Sequence, residues 1–328
     1  MGKNNKKRSS APDESHLLLS STEASTVPLV DTHTHLLSTF EAYTSKYPSG
    51  SYETVYDFVR GVYKGRNVEA LVDVYCEAPV KTRWKELADS AISPESRKEK
   101  WNDIEYWFVM GVHPHEAKDY NDDVEAEILE AMKHPRNVGW GEIGLDYHYD
   151  LSPREIQREV FARQLRHAIR LGKPLTIHTR EAEDDTERIL KEEVPKDYKI
   201  HIHCFTDSPD FAKRLLDHFP NLFIGITGVI TYTTNLNTSA VIKHLVQSGS
   251  SPLRIVLETD APFMVPGNIY KSIPPLGKSG SRLPLCHTAM LPWTADFVAG
   301  VAREAGVDYD ANRIMTEARE NARRMYEV

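Results

Sequence analysis

The chain has 328 residues, 40% of them hydrophobic and 27% charged, which excludes a mainly disordered, collagen-like or coiled-coil protein. Lys plus Arg number 40 against 48 Asp plus Glu, a net charge of -8, so there is no overall basic footprint of the kind that wraps duplex DNA. No run approaches the roughly 18 apolar residues of a membrane span, and three cysteines without a CxxC pair give no disulfide framework.

Residues 1–28 read as a disordered N-terminal tail. The first ten residues carry four basic side chains, and a stretch rich in Ser and Thr follows. A basic start without a long apolar segment is not a secretory signal. Together with the cysteine usage it points to an intracellular site, cytoplasmic or nuclear. A single domain is expected over 29–328.

From there the chain alternates. Strand patterns fall at 29–35, 69–76, 106–114, 138–146, 174–180, 199–205, 221–228 and 254–262. Several are nearly continuous apolar runs, as in strands covered on both faces by crossover helices. Between them, Ser152-Pro153 reads as a helix start, with Phe161, Leu165, Ala168 and Ile169 at helical spacing and Gly172 as the stop. Asp184 to Val194, Ser208-Pro209 onward and 237–249 read as further helices, and two more fill about 293–306 and 310–326. Eight β-α alternations predict a (β/α)8 TIM barrel, with a doubly wound open sheet as the structural alternative. Insertions at about 77–105 and 263–292 exceed a minimal barrel, and the second follows the eighth strand, where it could shape or cover a pocket.

Polar residues at the strand ends carry the chemistry, because a barrel places its active site there. His33 and His35 are two apart, so on a strand both rings face one way, beside Asp31. Glu142 is a carboxylate inside an apolar strand, and burial demands that it be protonated, paired or metal-bound. His178 and His203 end strands five and six; His201 lies deeper, as a core histidine or a support. Asp260 ends strand eight, placed as a terminal metal ligand or as a general base, with Glu258 two residues deeper to tether a neighbour. His33, His35, Glu142, His178, His203 and Asp260 together suit one or two divalent metal ions, with Zn²⁺ or Mn²⁺ matching the mixed nitrogen and oxygen donors better than Mg²⁺. Taken singly, each of these residues is equally read as a structural group satisfied by its neighbours.

The motifs DTHTH at 31–35, GVHPH at 111–115, GEIGLDYH at 141–148, TIHTR at 176–180, HCFT at 203–206, ETDAP at 258–262 and RENARR at 319–324 resemble those of the TatD-related metal-dependent hydrolases, within the amidohydrolase-like superfamily. The resemblance runs from about 29 to 326. It implies that His33 and His35 hold one metal, that His178 and His203 hold another, and that Glu142 bridges them. Asp260 would bind the first metal and take a proton from the attacking water, so Asp260 and Glu142 are the expected catalytic residues. Family members are described as deoxyribonucleases, often 3′ to 5′ exonucleases, and some fungal members as cell-cycle interaction proteins.

The lead expectation is therefore phosphodiester hydrolysis of DNA or a related substrate. His113, Arg180, Asp146, Tyr147 and Phe205 are the expected substrate contacts, and Arg180 is equally read as an ion-pair partner of Glu181 or Asp146. Hydrolysis of a small ester, amide or phosphoester is one alternative. A protein-interaction role through the tail or the insertions is the other. Asp207 stands where the resembling motif has Gly, and 181–187 is strongly acidic; both features disfavour a polyanion at that surface.

Overall fold

The computed structural model describes residues 11–19, 26–80, 83–249, 252–276 and 281–328. Eight strands follow one another around a parallel sheet in the order of the sequence. They are β1 (Leu29–Thr34), β2 (Val68–Tyr75), β3 (Glu105–Met110), β4 (Asn137–Asp146), β5 (Leu175–Arg180), β6 (Ile200–Ile202), β7 (Leu222–Ile226) and β8 (Ile255–Leu257). The ends of β1 and β8 meet through His35 N–H to Ala261 O and Asp260 N–H to His33 O, both 2.9 Å. Thr32 also donates to Leu257 O at 3.1 Å. This is the expected (β/α)8 barrel.

The strands are almost wholly buried because helices cover them, with apolar stripes such as Phe161, Leu165 and Ala168, or Phe211, Leu215 and Leu216, turned inward. Ser208 caps its helix as its sequence indicates, accepting from Phe211 N–H at 3.2 Å with Pro209 in the first turn. The Ser152 cap is corrected. The helix starts at Arg154 without a side-chain cap. Ser152 instead donates to His115 O at 2.8 Å and accepts from Lys118 N–H at 3.1 Å, so it anchors the short 3-10 turn Pro114–Asp119.

The expected tail is also corrected, for its described part. Glu14–Leu18 form a 3-10 turn, and Leu17 and Leu19 are buried in the main core. Glu14 accepts from the Tyr43 hydroxyl at 2.5 Å, and Leu17 O lies 3.0 Å from His287 Nε2. Two apolar side chains and these polar contacts suffice to dock a segment whose composition alone reads as disordered.

The insertion at 77–105 holds helices Trp84–Ser90 and Pro94–Trp101. The final helix, Ala311–Tyr326, explains the last motif structurally. Asn321 donates to Leu253 O and Ile255 O at 2.6 and 2.8 Å, and Arg319 and Arg323 pair with Glu69 at the start of β2. The helix clamps the sheet. Among the described residues, no helix is long and apolar enough to cross a membrane.

Candidate metal centre

The C-terminal ends of the strands open into a cleft of about 880 Å³. Five histidines and two carboxylates converge at its floor: His33, His35, His113, His178, His203, Glu142 and Asp260. His33 Nε2 lies 3.4 Å from both His35 Nε2 and Glu142 Oε2. His35 Nε2 lies 3.4 Å from Asp260 Oδ1 and 3.9 Å from Glu142 Oε2. Donors around a tetrahedral ion at bond lengths near 2.1 Å stand about 3.4 Å apart. His33, His35 and Glu142 therefore form a group spaced to hold a divalent ion, with Asp260 beside His35.

The other oxygen of Glu142 faces a different set. Oε1 is 2.8 Å from His178 Nδ1, 3.5 Å from His113 Nε2 and 3.7 Å from His203 Nε2. One buried carboxylate thus looks toward two groups of nitrogens. Burial alone would raise its pKa, but the surrounding His203, His113 and His178 rings outweigh that and hold the carboxyl well below the usual range. Burial, then the charge of His203, pushes His33 down to about 4, whereas Glu258 and Glu142 overcome burial at His203 and lift it to about 10.

Carboxylates stand behind His203 and His178. Glu258 Oε1 is 3.2 Å from His203 Nδ1, and Oε2 is 2.8 Å from His201 Nε2. His201 Nδ1 lies 2.8 Å from the Tyr326 hydroxyl, which meets Thr176 Oγ1 at 2.6 Å. The Glu258 carboxylate favours a proton on the facing Nδ1, which would leave His203 Nε2 free toward the centre. Glycine at 225 permits this stack, since a Cβ there would collide with both Glu258 and His201. Asp146 supports the second face in the same way, with Oδ2 3.2 Å from His178 Nε2 and 2.9 Å from His115 Nε2. Asp31 pins the closure, accepting from Thr259 N–H and from the Thr259 and Thr288 hydroxyls. Replacing Glu258 by Gln is expected to weaken metal binding about 10–100-fold with little loss of fold. Calorimetric titration with Mn²⁺ measures it, and unchanged affinity would remove Glu258 from this role.

All six residues expected to hold metal lie in this cluster, but not as the expected pairs: His203 stacks on His33 with ring centroids 3.5 Å apart, and Glu142 is shared by one group with His33 and His35 and another with His113 and His178. The expected substrate contacts fare unevenly. Arg180 lines the cleft, stacks 4.8 Å over the Tyr149 ring, and is paired with neither Glu181 nor Asp146. His113 also lines it. Its Nδ1 accepts the His115 N–H at 3.1 Å, and burial followed by repulsion from His178 lowers its pKa to about 4. A neutral ring with Nδ1 accepting carries its proton on Nε2, which faces Glu142 Oε1 at 3.5 Å within a group formed with His178.

Three contacts are corrected. Phe205 is 1% exposed and stacks on Phe211 in the core, because left-handed Cys204 (φ 44°) breaks the alternation that would have aimed it at the cleft. Asp146 lines the cleft at 1% exposure, but Oδ2 is taken by His178 and His115 and its other oxygen accepts from His148 and Tyr149 N–H, so it acts as a positioning residue. Tyr147 borders a neighbouring pocket and donates to Asp185 at 2.7 Å; Tyr149 is the tyrosine in the cleft. The sequence reading missed His115, although it shares with His113 the two-residue spacing used for His33 and His35. The loop after β8 contributes Phe263 and Met264 to the rim, as its position indicated.

A family model described as TatD related DNase matches residues 30–327. The chain is 33% identical over 327 residues to a Homo sapiens protein named 3'-5' RNA nuclease TATDN2, a match covering 98% of this chain and 37% of that protein. This chain thus spans little more than a third of the human relative's length. It is 31% identical over 209 residues to the 3'-5' ssDNA/RNA exonuclease TatD of Musicola paradisiaca (strain Ech703), covering 63% of this chain and 76% of that one. The crystal structure of a hydrolase TatD family protein from Entamoeba histolytica superposes with a TM-score of 0.70 at 18% identity, over 92% of this chain and 98% of that one; at that identity the likeness shows the fold alone. The strand-end motifs, the barrel and the family match agree: the chain belongs to the TatD-related DNase family.

Proposed function

We propose that the chain is a divalent-metal-dependent phosphodiesterase that shortens single-stranded nucleic acid, RNA or DNA, from the 3′ end. The observation that carries this reading is Glu142, whose two oxygens face separate nitrogen groups at the open end of the barrel. The direction and the polymer come from the names of the relatives. Zn²⁺ or Mn²⁺ fits the donor set best, with His33, His35, Glu142 and Asp260 on one side and His178, His203 and Glu142 on the other.

A divalent ion held there supplies Lewis acidity toward water and the phosphoryl oxygens. The protein does the rest. Asp260 lies at the cleft edge of the cluster, 8% exposed, where it accepts the proton of the attacking water. His113 offers a neutral Nε2–H to a phosphoryl oxygen. Arg180 is the one Arg or Lys lining the cleft among the described residues, and its planar fork suits phosphate. Glu258 and Asp146 keep the inner histidines oriented.

The test is hydrolysis of end-labelled single-stranded RNA and DNA by the metal-loaded chain in Mg²⁺, Mn²⁺ and Zn²⁺. A ladder shortening from the 3′ end is the expected result. Intact oligonucleotide with folded, metal-loaded protein that cleaves an uncharged ester instead would overturn the reading.

A further inference from the structure

The cleft carries aromatic surface that the metal chemistry does not use. Phe263 is 58% exposed and Tyr149 54%, and both line the cleft. Tyr149 follows β4 and Phe263 follows β8, strands that stand across an eight-stranded barrel from each other. The Tyr149 ring already carries the Arg180 guanidinium. Phe263 meets no aromatic ring or cation among the described residues. Its N–H donates to Asp260 O at 3.0 Å, so it stands one turn from a residue of the metal cluster.

The backbone on either side of Phe263 is anchored. Pro262 O accepts the Cys286 N–H at 2.8 Å, and Val265 O accepts the Tyr232 hydroxyl at 3.0 Å. Thr231 Oγ1 accepts the Gly267 N–H at 2.6 Å. A ring held in water by an anchored loop forgoes the gain of burial. In return its surface stays open to whatever enters the cleft.

The charges of the cleft decide which part of a nucleic acid meets that ring. Apart from the metal cluster and Asp146, the charged side chains lining the cleft are Arg180, Glu77 and Glu116, histidines aside. One arginine against two carboxylates gives little electrostatic hold on phosphates away from the scissile bond. A single strand that is not gripped along its backbone is gripped by its bases, which are unstacked and offer a π-face whatever the sequence.

We infer that Phe263 is a stacking platform for a nucleobase beside the scissile phosphate, and that the cleft holds its substrate by bases more than by phosphates. The inference rests on the nuclease reading.

The experiment measures kcat/KM of the metal-loaded chain on a single-stranded DNA oligonucleotide and on copies in which one nucleotide near the 3′ end lacks its base, each position in turn. For the wild type, removing the base at one position is expected to lower kcat/KM about tenfold. Phe263→Leu keeps the apolar bulk without the ring. It is expected to lose about tenfold on the intact strand and nothing more when that base is removed, because a shared interaction is lost only once. Phe263→Trp is expected to restore the wild-type pattern. Mn²⁺ titration and thermal melting check that both variants keep metal and fold. The slope of log kcat/KM against log salt is expected to be shallower than about −2, the value for about three phosphate contacts on a single strand.

Additive losses in Phe263→Leu and the abasic strand, or a wild type indifferent to every missing base, overturn the platform and leave the nuclease standing. A steeper salt slope assigns the grip to phosphates and overturns it too. A dimer that Phe263→Leu dissociates in sedimentation marks the ring as a contact between copies and also overturns it. A wild type that does not cut the intact strand overturns the nuclease reading, and the platform with it.

Discussion

Glu142→Gln is expected to lower turnover by about 10³-fold or more while the barrel stays folded. The carboxylate is 3% exposed, and each oxygen faces nitrogens on its own side. An amide keeps the shape but replaces one acceptor with a donor. That NH₂ would point at imidazole nitrogens on one side and lose its acceptor role there. The negative charge that offsets two cations in one small space also disappears. Both sides of the cluster weaken together, which distinguishes this position from any single histidine. The hydrogen bonds that close the barrel between β1 and β8 do not involve Glu142, so the melting temperature of the metal-free chain should move little. Steady-state hydrolysis at saturating metal measures the loss, and turnover within tenfold of wild type would exclude a shared carboxylate.

Asp260→Asn is the second large effect. Turnover is expected to fall by about 10² or more, with a smaller change in KM. Asp260 is held by its backbone in the left-handed region (φ 51°), with its N–H bonded to His33 O at 2.9 Å. Its Oδ1 is 3.4 Å from His35 Nε2 and 3.8 Å from His33 Nε2. Asn tolerates that conformation and can occupy the same space. What it cannot do is accept a proton from water near neutral pH. The difference in kcat at saturating metal therefore reports the loss of the proton acceptor together with that of an anionic metal donor. Near-normal kcat in the variant would assign Asp260 to holding the loop after β8 and nothing more.

The inner cluster was legible from sequence because strand geometry is simple there. His33 and His35 share a face by alternation, and Glu142 stands out as a carboxylate among Trp140, Ile143 and Leu145. The deeper Glu258 was legible as a tether for the same reason, although its link through His201 to Tyr326 joins residues far apart in the chain and has no local signature. Readings failed where the backbone leaves the strand. At β6 regular pairing stops at Ile202, and the left-handed Cys204 turns Phe205 into the core. After β4 the chain forms a turn in which Asp146 accepts from the N–H groups of His148 and Tyr149, so the aromatic that reaches the cleft is Tyr149 and not Tyr147. Ser152 reads as a cap by local rules and is taken by a tertiary contact instead. Asp207 attracted notice only as an extra acid; its burial against the Glu181 N–H required the fold.

The central claim is that one carboxylate organises two metal positions at the end of this barrel. Anomalous diffraction from Mn²⁺- or Zn²⁺-loaded crystals tests it directly. The expected result is two peaks about 3.5–4 Å apart, one among His33, His35 and Asp260, the other beside His178 and His203, with Glu142 between them. A single peak at full loading, or two peaks with Glu142 contacting only one, would contradict it.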